Sequence, residues 1–175
     1  MERGLYIGRF QPLHIGHFHS LKWCCERTDE LIVAVGSSDK SFEYRNPFTA
    51  GERIEMIRKA IVEEDPENLN KIIVIPVPDT GTHALWTRHV DLLVPSYDMV
   101  FTNDPFTYML YDQRGMKIFR PEMINRENMS ATEVRQRIAK DHDWQELLLN
   151  STINLIDSFK GVDRIKKLYE MVGNK

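Results

Sequence analysis

Residues 8–20 read GRFQPLHIGHFHS, and His14 and His17 bracket Ile15 and Gly16 in the pattern H-x-G-H. A third histidine, His19, follows two positions later, and Arg9 stands just ahead. The run joins an apolar pentapeptide, GLYIG at 4–8, to a helix-period segment at 16–28. At a helix start, residues three apart share one face. Imidazole N–H groups donate to phosphate oxygens, and the free N–H groups of a helix N-terminus favour anions. Arg9 adds a planar fork suited to phosphate. Gly8 permits close backbone approach, and Pro12 stiffens the loop. Phosphate handling is the chemistry expected of this corner. A metal site is the other use of paired histidines. A catalytic zinc normally takes three protein ligands, though, and no carboxylate stands near this pair, so no metal-ligating residue is expected.

Four further stretches carry polar residues in loop positions. In SDKSFEYRNPF (38–48), Lys40 and Arg45 are cations that could reach phosphates or stay solvated. In PDTGTHALW (78–86), Asp79, His83 and Trp86 are the chemical groups. Trp86 also sits at helical spacing from Val90, as an ordinary core residue would. In FTNDPF (101–106), Asp104 reads as a helix cap ahead of Pro105, with Asn103 beside it. In MSATEVRQR (129–137), Ser130 and Glu133 form a capping-box pattern, and Arg135 and Arg137 follow on the helix. A salt bridge to Glu133 or Asp141 would account for Arg137.

These stretches need a scaffold, and apolar runs supply one. Strand-length runs at 4–8, 30–37, 71–77, 98–102 and 116–120 alternate with helix-period segments at 16–28, 49–64, 84–94 and 105–115. A further helix starts at Ser130, and 144–172 reads as helical throughout. Phe18, Leu21, Cys25, Ile54, Ile57 and Ile61 are expected to face the core, and Thr49 with Glu52 to box the start of the second helix. Strand–helix alternation implies right-handed β-α-β units. The expected fold is an α/β, doubly wound, Rossmann-like parallel sheet of about five strands, with helices on both faces and a helical C-terminal segment. Such sheets bind ligands beyond the carboxyl ends of their strands. That places function in loops 9–17, 36–48, 78–86, 102–106 and 121–130.

Composition bounds the class. The chain has 175 residues, 42% hydrophobic and 28% charged, which fits one globular domain over 1–175 with a helical extension at 144–172. A net charge of −3 offers nothing to nucleic acid or an acidic membrane, so any anion site must be built locally. Cys24 and Cys25 are adjacent, lack metal spacing and read as buried thiols in a reducing, cytoplasmic setting. The N-terminus has no signal-peptide run, and no stretch reaches the roughly 20 apolar residues of a membrane span.

The run G-x-F-x-P-x-H-x-G-H matches the signature of the H-x-G-H nucleotidyltransferase superfamily. HIGH also occurs in class I aminoacyl-tRNA synthetases, but those are far longer and carry a KMSKS loop absent here. With SFEYRNPFTAGERIEMI, PVPDTGTHALWTRHV and MSATEVRQRI added, the chain from Arg3 to about Leu168 resembles the archaeal-type nicotinamide-nucleotide adenylyltransferases. That resemblance implies transfer of AMP from ATP to nicotinamide mononucleotide (NMN), giving NAD and pyrophosphate. It implies an ATP site of Gly8, Arg9, Phe10, His14, Gly16, His17, Arg45, Ser130 and Arg135, with His14, His17 and Arg9 acting in catalysis. It implies an NMN site of Asp79, His83, Trp86 and Asn103, with Trp86 stacked on the cationic ring. At His83 many relatives carry Asn; an imidazole offers one donor and one acceptor only when neutral. Mg²⁺ bound through the ATP phosphates and a homo-oligomer, hexameric in the family, are also implied. A different phosphate acceptor and a non-catalytic nucleotide sensor are the alternatives.

Overall fold

A computed structural model describes residues 1–122 and 129–173. Its centre is a five-stranded, all-parallel sheet in the order β3-β2-β1-β4-β5. The strands are β1 (Arg3–Gly8), β2 (Glu30–Val35), β3 (Ile72–Pro76), β4 (Met99–Phe101) and β5 (Lys117–Phe119). Helices α1 (Ile15–Cys25), α2 (Ala50–Glu64), α3 (Trp86–Leu93) and α4 (Pro105–Asp112) link them in turn. Three more helices follow: α5 (Ala131–Ala139), α6 (Asn150–Ser158) and α7 (Gly161–Gly173). The expected doubly wound α/β sheet is the observed one.

Period-two alternation divides the strand side chains between two cores. Leu31, Val33 and Val35 of β2 join Phe18, Leu21, Met56, Ile57 and Ile61 on the face covered by α1 and α2. Ile32 and Ala34 point the other way, to Leu5, Val90, Val100 and Tyr111 under α3 and α4. Both cysteines are buried and unpaired.

Several boundaries differ from those the sequence suggested. The first helix starts at Ile15 and stops at Cys25, and Trp23 is half-buried, with the Arg27 guanidinium 3.7 Å over its ring. The strands β4 and β5 shrink to three residues each. The 84–94 segment divides into a 3-10 turn, His83–Leu85, and α3. The 144–172 stretch is broken: Lys160 takes a φ of +53°, in the left-handed region, which ends α6 before α7 begins. In α2, Ile54 is only partly buried and Arg53, with 0% exposure, faces inward.

The capping expectations divide. Thr49 and Glu52 make the full reciprocal box. Ser130 accepts from the Glu133 amide at 3.1 Å, but the Glu133 carboxylate turns away to Arg137. The Glu52 carboxylate does double duty. It also holds Arg164 of α7 in a two-pronged pair at 2.7 and 2.8 Å, tying the last helix to the start of α2.

Candidate active site

Strand order reverses at β1: the chain runs outward to β2 and β3, then crosses back to β4 on the other side. A crevice opens at such a switch point beyond the carboxyl ends of the strands. Here it holds two hollows that share Ile7, Gly8, Arg9 and Asp104 as a common wall.

The first hollow, about 340 Å³, lies between the end of β1 and the N-termini of α1 and α5. It gathers Gly8, Arg9, Phe10, His14, Gly16, His17, Ser130 and Arg135. Two helix N-termini aimed at one cavity make it a place for anions. The histidines build the first of those termini themselves. His14 is the cap of α1: its Nδ1 accepts from the His17 amide at 3.2 Å, and the His17 Nδ1 accepts from the His14 amide at 3.4 Å. Their rings stack with centroids 3.6 Å apart. Since each Nδ1 is an acceptor, each proton of the neutral ring must sit on Nε2. Both rings therefore present an Nε2–H donor. Burial lowers the His14 pKa to about 4. His17 is also held well below its usual value, by burial first, then by His14 and Arg9. The free site thus carries neutral donors at physiological pH, not the cations that the histidine count suggests.

Neighbours fix these rings. A Cβ on Gly16 would come within 3.1 Å of the His14 imidazole, so the glycine makes room for it. Phe10, with a φ of +52°, is fully buried. Its ring covers Gly8 and meets the His17 ring edge-on at 5.0 Å. Phe10 borders the hollow with no exposed surface and packs against His17. Arg135 is 4% exposed; it donates to the Gln11 carbonyl at 2.7 Å and to Thr132 Oγ1 at 3.2 Å, while its Nε has no partner among the described residues. Burial and the nearby charges of Arg9 and Arg45 lower its pKa to about 10, which leaves it charged.

The second hollow, about 410 Å³, lies towards β2 and α3. It brings together Asp79, His83 and Trp86, with Ser37 and Phe106. Ser37 Oγ donates to Asp79 at 3.0 Å, and the Asp79 amide donates to Asp39 at 2.8 Å, which fixes the loop after β3 against the loop after β2. His83 meets the Phe106 ring edge-on at 5.3 Å. Trp86 lines the hollow with one side and packs on the second core with the other.

Two expected residues lie elsewhere. Asn103 borders the first hollow, not the second, because its amide is turned towards the end of β5 and donates to the Pro121 carbonyl at 2.9 Å. Arg45 is exposed on the 36–48 loop and lines neither hollow; only its field reaches Arg135. Lys40 pairs with Asp39, Arg137 pairs with Glu133 and Glu146, and His19 faces a separate surface hollow. Residues 123–128 of the expected 121–130 loop lie outside the described residues. The sequence reading missed Gln11 and Arg53. Gln11 is 1% exposed and clamps Phe48 at both its amide and its carbonyl. Its signal was an amide flanked by Phe10, Pro12 and Leu13.

The cytidylyltransferase-like family model matches residues 5–137. The nicotinamide-nucleotide adenylyltransferase of Saccharolobus solfataricus is 39% identical over 96% of this chain and 97% of its own. That of Pyrococcus furiosus is 37% identical over 96% and 89%. Among solved structures, a bifunctional NMN adenylyltransferase/ADP ribose pyrophosphatase from Francisella tularensis, complexed with AMP and manganese, superposes with a TM-score of 0.77 at 20% identity. The match covers 95% of this chain and 51% of that one. The nicotinic acid mononucleotide adenylyltransferase of Plasmodium falciparum gives 0.63 at 15% identity, over 93% and 97%. These likenesses agree with a Rossmann-like nucleotidyltransferase fold. With the family match over 5–137 and archaeal relatives covered almost end to end, this chain belongs to the cytidylyltransferase-like family and, within it, to the nicotinamide-nucleotide adenylyltransferases.

Proposed function

We propose that the first hollow takes the phosphates of ATP and the second takes NMN, and that the two meet at Arg9. One observation carries this: two hollows of nucleotide-fragment size share a wall containing Gly8 and Arg9. A phosphate from each side can approach the other there. An oxygen of the NMN 5′-phosphate attacks the ATP α-phosphorus in line. The new P–O bond forms as the bond to the β-phosphate oxygen breaks and pyrophosphate leaves. The nucleophile is already an anion, so no side chain has to remove a proton. The site's work is to hold two anions together and to receive charge as pyrophosphate departs.

His14 and His17 do this as Nε2–H donors, joined by the amides at the starts of α1 and α5, by Ser130 at the α5 terminus and by the Arg9 and Arg135 cations. Arg45 acts from the rim, once the 36–48 loop brings it to the phosphates. Asp79 and His83 contact the nicotinamide nucleotide, Trp86 stacks on its pyridinium ring, and Asn103 borders the phosphate side. Mg²⁺ enters with ATP, held by phosphate oxygens and water, as is usual for that ion.

The whole chain works as one nucleotidyltransferase domain in a reducing compartment, the cytoplasm. Among the described residues no helix is long and apolar enough to cross a membrane. It assembles as a homo-oligomer, hexameric if it follows its family. Exposed apolar side chains on α3 (Leu92, 83% exposed, and Leu93) and on α7 (Met171 and Val172) support this, since each gains by being covered. Light scattering of the purified protein tests it.

The activity test is direct. Protein, ATP, Mg²⁺ and NMN are mixed, and NAD is followed with a coupled dehydrogenase. Nicotinic acid mononucleotide, phosphopantetheine and glycerol 3-phosphate run in parallel, read by pyrophosphate release. NAD formation supports the assignment; pyrophosphate from another acceptor alone keeps the phosphate hollow and discards the reading of the second.

A further inference from the structure

Beneath the wall shared by the two hollows lies Arg53, a guanidinium with 0% exposure. A charge this deep ordinarily has a carboxylate partner. Among the described residues Arg53 forms no ion pair; all its hydrogen bonds go to backbone carbonyls. Nη1 donates to Arg9 at 2.9 Å and to Gly36 at 2.8 Å. Nη2 donates to Ser37 at 3.1 Å, and Nε donates to its own helix at Thr49, 3.2 Å away.

The acceptors matter more than their number. Arg9 follows the end of β1, while Gly36 and Ser37 follow the end of β2. Arg9 lines both hollows, and Ser37 lines the second and holds Asp79. One planar fork therefore ties the loop after β1, which gives Arg9 to the common wall, to the loop after β2, which lines the second hollow, and anchors both to α2. Lysine has the charge but not the fork, and could not hold these carbonyls at fixed separation.

We propose that Arg53 is a positioning residue for adenylyl transfer: by pinning the Arg9 and Ser37 carbonyls to one rigid fork, it aims Arg9 at the junction where the two phosphates meet. The proposal rests on the assignment of Arg9 to those phosphates. Arg53 itself touches neither substrate. Misplacing a charge-stabilising group by about 1 Å can cost about 10²-fold in rate, so the effect belongs in kcat.

The test is a double-mutant cycle with Arg53→Lys and Arg9→Ala, each assayed for kcat and for both KM values, well below its urea or thermal midpoint. Arg53→Lys is expected to lower kcat about 10²-fold while each KM stays within about threefold. In the Arg9→Ala background the same change is expected to alter kcat by less than about threefold, because nothing is left to aim. An equal fold-loss in both backgrounds overturns the proposal and leaves Arg53 as a stabilising residue. If Arg9→Ala alone is without effect, the assignment of Arg9 fails first, and the proposal with it. A second measurement needs no variant. In the wild-type protein, the Arg53 guanidinium N–H signals are followed by NMR with α,β-methylene ATP, Mg²⁺ and NMN added together. N–H signals that exchange slowly both before and after binding support a fixed fork; fast, solvent-like exchange in the liganded protein overturns it.

Discussion

At the scale of single residues, the site depends on where protons sit. The His14–His17 box commits both Nδ1 atoms to backbone amides, which leaves Nε2–H as the working donor on each ring. Removing one such donor typically costs about 10²–10³-fold in kcat. His17→Ala is expected to show a loss of that order with an unchanged far-ultraviolet spectrum; near-normal turnover would refute its phosphate role. The same burial links folding to pH. With a folded pKa of about 4 against 6.5 unfolded, His14 is neutral in both states above about pH 7 and contributes no slope there. As pH falls below 6.5 the unfolded chain takes up the proton first, so stability declines until pH passes about 4. By pH 5 the loss is about 2 kcal/mol. Urea titrations at pH 7.5 and 5 should show it in the unliganded protein, and His14→Gln should reduce it. From the sequence, these histidines and their neighbours are expected to form a phosphate corner. The sequence did not show their neutrality, because that follows from burial among residues far along the chain, Met129 and Ala131 included. Trp86 reads as core from its spacing and as a ligand platform from the family resemblance, and it borders the second hollow while packing on the second core. Trp86→Ala should raise the KM for NMN well above any change in that for ATP.

At the scale of elements, the alternation of apolar strands and amphipathic helices was legible because each strand is covered on both faces and each helix on one. Position within elements was less legible. In α2 the helical period nominated Ile54, yet Arg53 went inward, where its guanidinium donates to three loop carbonyls, those of Arg9, Gly36 and Ser37. The C-terminal stretch read as helical with no boundary placed inside it, because a break at Lys160 and Gly161 leaves no mark in hydrophobic period. The cause lies in packing: a Cβ at Gly161 would fall 2.8 Å from Phe48 Cε1 and 3.0 Å from the Ile156 carbonyl oxygen. Gly161→Ala should therefore destabilise the fold by about 1–3 kcal/mol, read from the urea midpoint, since backbone and ring must both yield. Little change would mean that α7 is free to shift, despite the Arg164–Glu52 pair that ties it to α2.

At the scale of the whole molecule, a chain of net charge −3 concentrates Arg9, Arg53 and Arg135 around one cleft. Burial first, and then repulsion from Arg9, lowers the pKa of both Arg53 and Arg135 to about 10. Polyanions should relieve that repulsion. At 100 times its dissociation constant, pyrophosphate would add about 2.7 kcal/mol to stability, and a thermal scan should show the gain shrinking in Arg135→Ala. The common wall of the two hollows also governs what happens after the reaction. On the proposed assignment of the two hollows, the product is a single molecule with its adenylate half in one and its nicotinamide half in the other, joined across Arg9. Neither substrate can enter until that molecule has left both halves at once. NAD should therefore inhibit competitively against ATP and against NMN alike, so that turnover slows as the cell's own stock of the dinucleotide fills.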